Sequence, residues 1–146
     1  MDEIKIQNFA REHPKSPFPQ YESLTDQKME EIRHIVKLRT GLPDNTSPLD
    51  MVRHLAERAM TVPHVSAEDE DFNLKATLQE ANIKPKDKVF VNWHRFDKID
   101  EISLNDLLEH FDDLWYPAVD DIDIFDESLN WILSIGYSGT VRVLNF

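Results

Sequence analysis

Apolar and polar positions alternate most regularly over residues 115–146. Ile122 and Ile124 alternate with Asp121 and Asp123, and after a polar break Trp131, Leu133, Ile135 and Tyr137 mark one face of a second strand. Gly139 can take positive φ in the turn Tyr137-Ser138-Gly139-Thr140, after which Val141 and Val143 resume the alternation. This pattern predicts a three-stranded meander at the centre of a sheet, with Ile122 and Ile124 turned inward and Asp121 and Asp123 turned to solvent. Residues 89–96, Val-Phe-Val-Asn-Trp-His-Arg-Phe, read as an earlier strand.

Helical spacing fills the rest. Met29, Ile32, Ile35, Val36 and Leu38 form a stripe over residues 25–40 that Gly41 and Pro43 terminate. Ser47, Pro48 and Asp50 are a capped helix start, with Leu49, Val52, Leu55, Ala56, Ala59 and Met60 as the expected buried face and Pro63 as the stop. A weaker helix is expected over 66–81, with Glu68-Asp69-Glu70-Asp71 in its first turn, where carboxylates complement the helix dipole. The best-marked helix covers 103–115: Ser103 caps it, and Leu104, Leu107, Leu108, Phe111 and Leu114 share one face. Residues 1–22, broken by Pro14, Pro17 and Pro19, read as an extended arm pinned by Phe9, Phe18 and Tyr21.

The expected fold is α+β: N-terminal helices packed on one side of a mostly antiparallel C-terminal sheet of about four strands, with one crossover helix that could make one strand pair parallel. The organisation expected is a single domain over 1–146, with an arm at 1–22, a helical part at 24–82 and a sheet at 88–146 that carries the helix 103–115.

Charge changes the picture because of where it lies. The chain of 146 residues has a formal net charge of -12. Residues 1–96 hold 16 acids against 14 Lys/Arg, whereas residues 97–127 hold 12 acids against Lys98 alone. Clustered carboxylates repel nucleic acid and steer a cationic partner. Cysteine is absent, which removes disulfides, thiolate chemistry and cysteine-based zinc sites. No apolar run is long enough to span a bilayer and no secretory h-region precedes the body, so a cytoplasmic protein without a membrane partner is expected.

Chemical motifs are few. Gly41, Gly136 and Gly139 are the only glycines, too few and too scattered for a phosphate-cradling loop, and no strained G-x-S-x-G turn is present. The six histidines show no H-x-x-x-H or H-E-x-x-H pairing, and the acidic residues lack the spacing of a calcium loop, so no metal or other cofactor is expected. The expectation is a protein that is not an enzyme, with Asp112, Asp113, Trp115, Tyr116, Asp120, Asp121, Asp123, Asp126 and Glu127 as a partner-binding surface: aromatic anchors among carboxylates suit a basic protein. Two alternatives are a small hydrolase with paired carboxylates in a cleft between the N-terminal helices and the sheet, and an acidic mimic of nucleic acid.

The run Asp120-Asp121-Ile-Asp-Ile-Phe-Asp126-Glu127-Ser128-Leu-Asn-Trp131, continuing to the hairpin at Gly139 and Val141, resembles the C-terminal strands of immunity proteins encoded beside bacterial polymorphic and contact-dependent growth inhibition toxins. The resemblance covers the last quarter of the chain, and Tyr137-Ser138 departs from the histidine-glutamate pair expected in that hairpin. It implies a non-enzymatic inhibitor that binds a cognate toxin, a nuclease domain being the basic partner that best matches the charge.

Overall fold

Seven strands form one antiparallel sheet in the order β1-β4-β3-β5-β6-β7-β2, in a computed structural model that describes residues 1–146. In chain order the elements are α1 (Glu3–Glu12), β1 (Tyr21–Ser23), α2 (Asp26–Thr40), α3 (Pro48–Arg58), β2 (Met60–Ser66), α4 (Leu74–Glu80) and β3 (Lys88–His94). They continue with β4 (Lys98–Ser103), α5 (Leu104–Glu109), α6 (Phe111–Leu114), β5 (Ile122–Phe125), β6 (Trp131–Ile135) and β7 (Thr140–Asn145). The α+β class and the C-terminal meander β5-β6-β7 are as the sequence predicts, but the sheet has seven strands instead of about four. No pair is parallel, because β4 returns directly along β3 and β5 then joins the other edge of β3.

Helices cover both faces of the sheet, not one. On the first face, Val91, Ile124, Leu133 and Val143 line up across β3, β5, β6 and β7 and pack with α4, α5 and α6 through Leu74, Leu78, Leu107, Phe111 and Leu114. On the second, Phe90, Phe125, Ile132 and Leu144 meet Met29, Ile32 and Val36 of α2 and Met51 and Leu55 of α3. A strand in such a sheet has an inside on both faces, so alternation alone does not tell which residues reach solvent.

The helix starts encoded by short side chains form as expected. Thr25, Ser47 and Ser103 accept from Lys28, Asp50 and Asp106 N–H, and Gly41 closes α2 in the left-handed region at φ 71°. Other elements differ from expectation. Residues 3–12 are helical with Asp2 as cap, and the pattern hides this because the position that docks beside Phe9 is Lys5. Helix α3 buries Met51 and Leu55, whereas Leu49 and Met60 are 43% and 78% exposed; the helix stops at Arg58 and Met60 begins an edge strand that tolerates Pro63. Helix α4 begins after Asn73, so Glu68–Asp71 lie in the preceding turn and not at a helix terminus. The helix expected over 103–115 breaks at His110 into α5 and α6.

The β3–β4 hairpin was hidden for a different reason. Arg95 and Phe96 both have positive φ (44° and 60°), and Asp97 N–H donates to His94 C=O at 2.9 Å, a type I′ arrangement built without glycine. Asn92 holds it: its Oδ1 accepts from His94 N–H at 3.2 Å and Phe96 N–H at 2.9 Å. No helix of the protein is long and apolar enough to cross a membrane.

The two left-handed glycines separate backbone strain from crowding. A Cβ at Gly41 meets nothing within 4 Å, whereas at Gly139 it would sit 2.5 Å from Ser66 Oγ and 3.0 Å from Glu68 N. Gly41→Ala is expected to cost about 1 kcal/mol from the left-handed conformation alone, and Gly139→Ala distinctly more, because Glu68 backbone must move. Equal losses in urea denaturation would contradict this placement of the turn.

Candidate functional site

The acidic stretch that the sequence marks as a surface is largely folded inward. Trp115 is 3% exposed, stacks on Phe111 at 5.8 Å and donates its indole N–H to Asp120 C=O at 3.1 Å. Asp126 is 1% exposed; its Oδ2 accepts from Lys86 N–H at 3.1 Å and Trp131 Nε1–H at 3.2 Å, and its Oδ1 from Ser128 N–H and Oγ–H. Asp120 pairs with the buried Lys5 of α1 and accepts from Tyr116 N–H at 2.8 Å. Lys5 Nζ also lies 3.9 Å from the centre of the Tyr116 ring, and Tyr116 Oη accepts from Asn8 at 3.2 Å. Asp113 is half-buried against His13 of α1, 3.1 Å from its Nε2. These placements correct the expectation of an open surface for Trp115, Asp113, Asp120, Asp123 and Asp126, and Tyr116 is half-buried among the same contacts. Asp112, Asp121 and Glu127 are exposed, on three separate elements or turns.

The reason lies in unmatched donors. A buried N–H or ammonium costs more than an exposed one unless an acceptor meets it, and a carboxylate offers two acceptor oxygens. The acidic stretch meets all three tryptophan N–H groups: Trp93 donates to Asp100 at 2.8 Å, Trp131 to Asp126, and Trp115 to the Asp120 carbonyl. Amine groups pair with four of its acids: Asp100 with the Met1 amino group, Asp120 with Lys5, Glu101 with Lys88 and Glu127 with Lys86. The Lys86 ammonium holds the Glu127 carboxyl below its usual range, but both groups are at the surface, where such a pair adds little stability.

Asp123 has a different setting. Asn92, Asp123, Ser134 and Arg142 occupy successive cross-strand positions of β3, β5, β6 and β7, and Thr61 of β2 opposes Arg142. This polar row crosses the second face next to the apolar row of Phe90 and Phe125. Asn92 Nδ2 donates to Asp123 Oδ2 at 2.9 Å and Ser134 Oγ to Asp123 Oδ1, so the carboxyl joins three strands and, through Asn92, the strained turn at Arg95 and Phe96. Burial pushes the Asp123 carboxyl above its usual range; the hydrogen bonds from Ser134 and Asn92 oppose that shift, and the charge of Asp121 adds to it.

Above the row is a cavity of about 550 Å³, lined by Val52, Leu55 and Ala56 of α3, by Ala59 just after that helix, and by His94, Arg95 and Asp121. Arg142 lines it, and no carboxylate of the chain lies within ion-pair distance of its guanidinium. The arrangement can hold a molecule with one apolar side and hydrogen-bonding groups on the other. Sequence reasoning missed it because the residues come from four strands and a helix, and only Asp120, Asp121 and Asp123 of its lining stood out. In comparisons with family models, with curated proteins and with solved structures, the chain matches none of them.

Titration of Asp123 gives a test. Its carboxyl releases its proton at higher pH in the folded chain than in the unfolded one, where the pKa is about 3.9. As pH rises through that window the unfolded state ionises first, and wild-type stability falls. Asp123→Asn has no such proton, and Ser134 can turn its hydroxyl to accept from the new amide. The stability difference in urea denaturation should therefore shift in favour of the variant between pH 4 and pH 7. A difference independent of pH would mean that the carboxyl is as hydrated in the fold as outside it.

Proposed function

We propose that the chain neutralises a positively charged protein, in the manner of the toxin-immunity proteins that its last quarter resembles, by covering the partner's nucleic-acid-binding surface with an acidic face. The observation that carries this reading is the set of 12 acids against Lys98 alone in residues 97–127, which internal pairing only partly consumes. Glu109 and Asp112 at the α5–α6 junction remain exposed, and neither is paired with Lys or Arg. They border a cleft of about 470 Å³ with Phe72, Leu108 and Phe111 in its lining, and Phe72 stands at the end of the exposed acidic turn Glu68–Asp71.

The docking face is therefore centred on Glu109, Asp112 and the 68–71 turn, and it retains only Asp112 of the residues first expected there. An apolar centre of Phe72 and Leu108, with Glu109, Asp112, Asn73, Asn105 and the single cation Lys75 around it, has the composition of a protein interface. A nuclease domain fits as the partner because it concentrates Lys and Arg where a phosphate backbone would lie. Binding would act by steric exclusion, with the charge accelerating encounter.

The hydrolase alternative draws support from the cavity over Asp123, which Asp121 also lines. It predicts turnover that Asp123→Asn abolishes, whereas the inhibitor reading predicts that this substitution leaves neutralisation unchanged.

The test pairs the chain with a basic nuclease toxin domain encoded beside it. Wild-type protein should suppress nuclease activity stoichiometrically, and the association rate should fall at least tenfold between low and physiological salt. Glu109→Lys combined with Asp112→Lys should weaken binding at least tenfold, with Asp121→Lys close to wild type. Salt-independent association, or full inhibition by the double variant, would contradict this face as the interface.

A further inference from the structure

Helix α1 and the α5–α6 junction meet at a cluster of imidazoles and carboxylates that neither the docking face nor the cavity uses. His13 caps the C-terminal end of α1, and its Nε2 lies 3.1 Å from Asp113 Oδ1 on α6. The other oxygen, Asp113 Oδ2, is 3.6 Å from His110 Nδ1. Glu12 completes the group: a carboxylate oxygen of Glu12, a ring nitrogen of His13 and a carboxylate oxygen of Asp113 all lie within 4.8 Å of one another. Phe9 fixes both rings, with its centroid 4.5 Å from that of His13 and 5.2 Å from that of His110.

We propose that Glu12, His13 and Asp113 bind a zinc-class divalent transition metal, which fastens α1 to α6. Zinc takes nitrogen and oxygen ligands at about 2.0–2.1 Å in a tetrahedron, which places neighbouring donors roughly 3.3 Å apart. The His13 nitrogen and the Asp113 oxygen are already at close to that separation. A metal ion would replace their hydrogen bond with small side-chain movements, and water would take the fourth position. An imidazole nitrogen among the donors selects zinc, cobalt or nickel over magnesium and calcium, which prefer oxygen alone. His110, at the second Asp113 oxygen, is placed to orient the ligating carboxylate. Two carboxylates and the negative end of the α1 dipole supply a field that attracts a cation.

A second trio, Asp106, Glu109 and His110, also brings three donors together, but all three come from one short stretch of chain. Metal there would connect nothing. At the first trio the ligands are 100 residues apart in sequence, so the site exists only when α1 is docked. Binding is thereby linked to folding, and thermal stability should rise with metal concentration.

The experiment uses the full chain without an affinity tag, stripped of metal and titrated with zinc chloride by calorimetry and with cobalt chloride by visible absorption. One equivalent should bind, cobalt should show the intense visible bands of tetrahedral coordination, and magnesium should give no saturable heat. His13→Ala and Asp113→Asn should each weaken zinc binding at least tenfold. Glu12→Gln lies at an exposed position where loss of folding does not confuse the result, and it should weaken binding in the same direction while leaving the circular dichroism of the metal-free protein unchanged. No saturable zinc binding, binding indifferent to all three substitutions, or binding removed by Asp106→Asn but not by His13→Ala would overturn the assignment.

Discussion

A carboxylate removed from water must be met by donors, and in this protein one short acidic stretch has several carboxylates removed in that way. Asp100, Asp120, Asp123 and Asp126 lie at the sheet or its corners, and each accepts from two or more groups. Burial of a lone charge is costly enough that the alternatives are pairing, protonation or local unfolding. Asp120 takes the first route with Lys5; at Asp123 burial pushes the carboxyl above its usual range while the hydrogen bonds from Ser134 and Asn92 oppose the shift. The donors come from distant parts of the chain, so these contacts also decide how the pieces assemble. Lys5 brings α1 to the β5 corner, Ser23 ties β1 to β4, and the Lys86 backbone anchors the approach to β3 beside Trp131.

Seen this way the charge of the chain has two parts. One is internal and serves as acceptor for indole, amide and ammonium groups; the other stays at the surface around Glu109, Asp112 and the 68–71 turn. The first part holds the second in place. Helices α5 and α6 pack through Leu107, Phe111 and Leu114 on the first face of the sheet, while Trp115 and Asp120 close the corner that follows. The polar row of Asn92, Asp123, Ser134 and Arg142 breaks the apolar second face and leaves the cavity beneath α3.

Local signals were legible in the sequence, and signals that depend on partners were not. Ser47 and Ser103 announce helix starts because the capping oxygen and the N–H it meets are three residues apart. Gly139 announces its turn because φ is 85° there. The turn at Arg95 and Phe96 gives no such sign, since Asn92 supplies its stabilisation from within the strand. Asp123 alternates with Ile122 and Ile124 and so reads as outward, which holds for a sheet with one wet face; here α3 partly roofs the other face. Lys5 hid α1, because a lysine enclosed by Asp120, Tyr116 and Trp93 occupies the position where the helical pattern needs an apolar residue. His13 and Asp113 are brought together only by the docking of α1, which no spacing in the sequence encodes.

The most direct test of an inward-facing acidic stretch is a double-mutant cycle between Lys5 and Asp120, using Lys5→Met and Asp120→Asn, with unfolding free energies measured at low salt and at about 0.5 M salt. A pair enclosed by Tyr116 and Trp93 should show a coupling of about 1–3 kcal/mol that changes little with ionic strength. A coupling near zero, or one that disappears at high salt, would place Asp120 at the solvent-exposed surface and contradict the account.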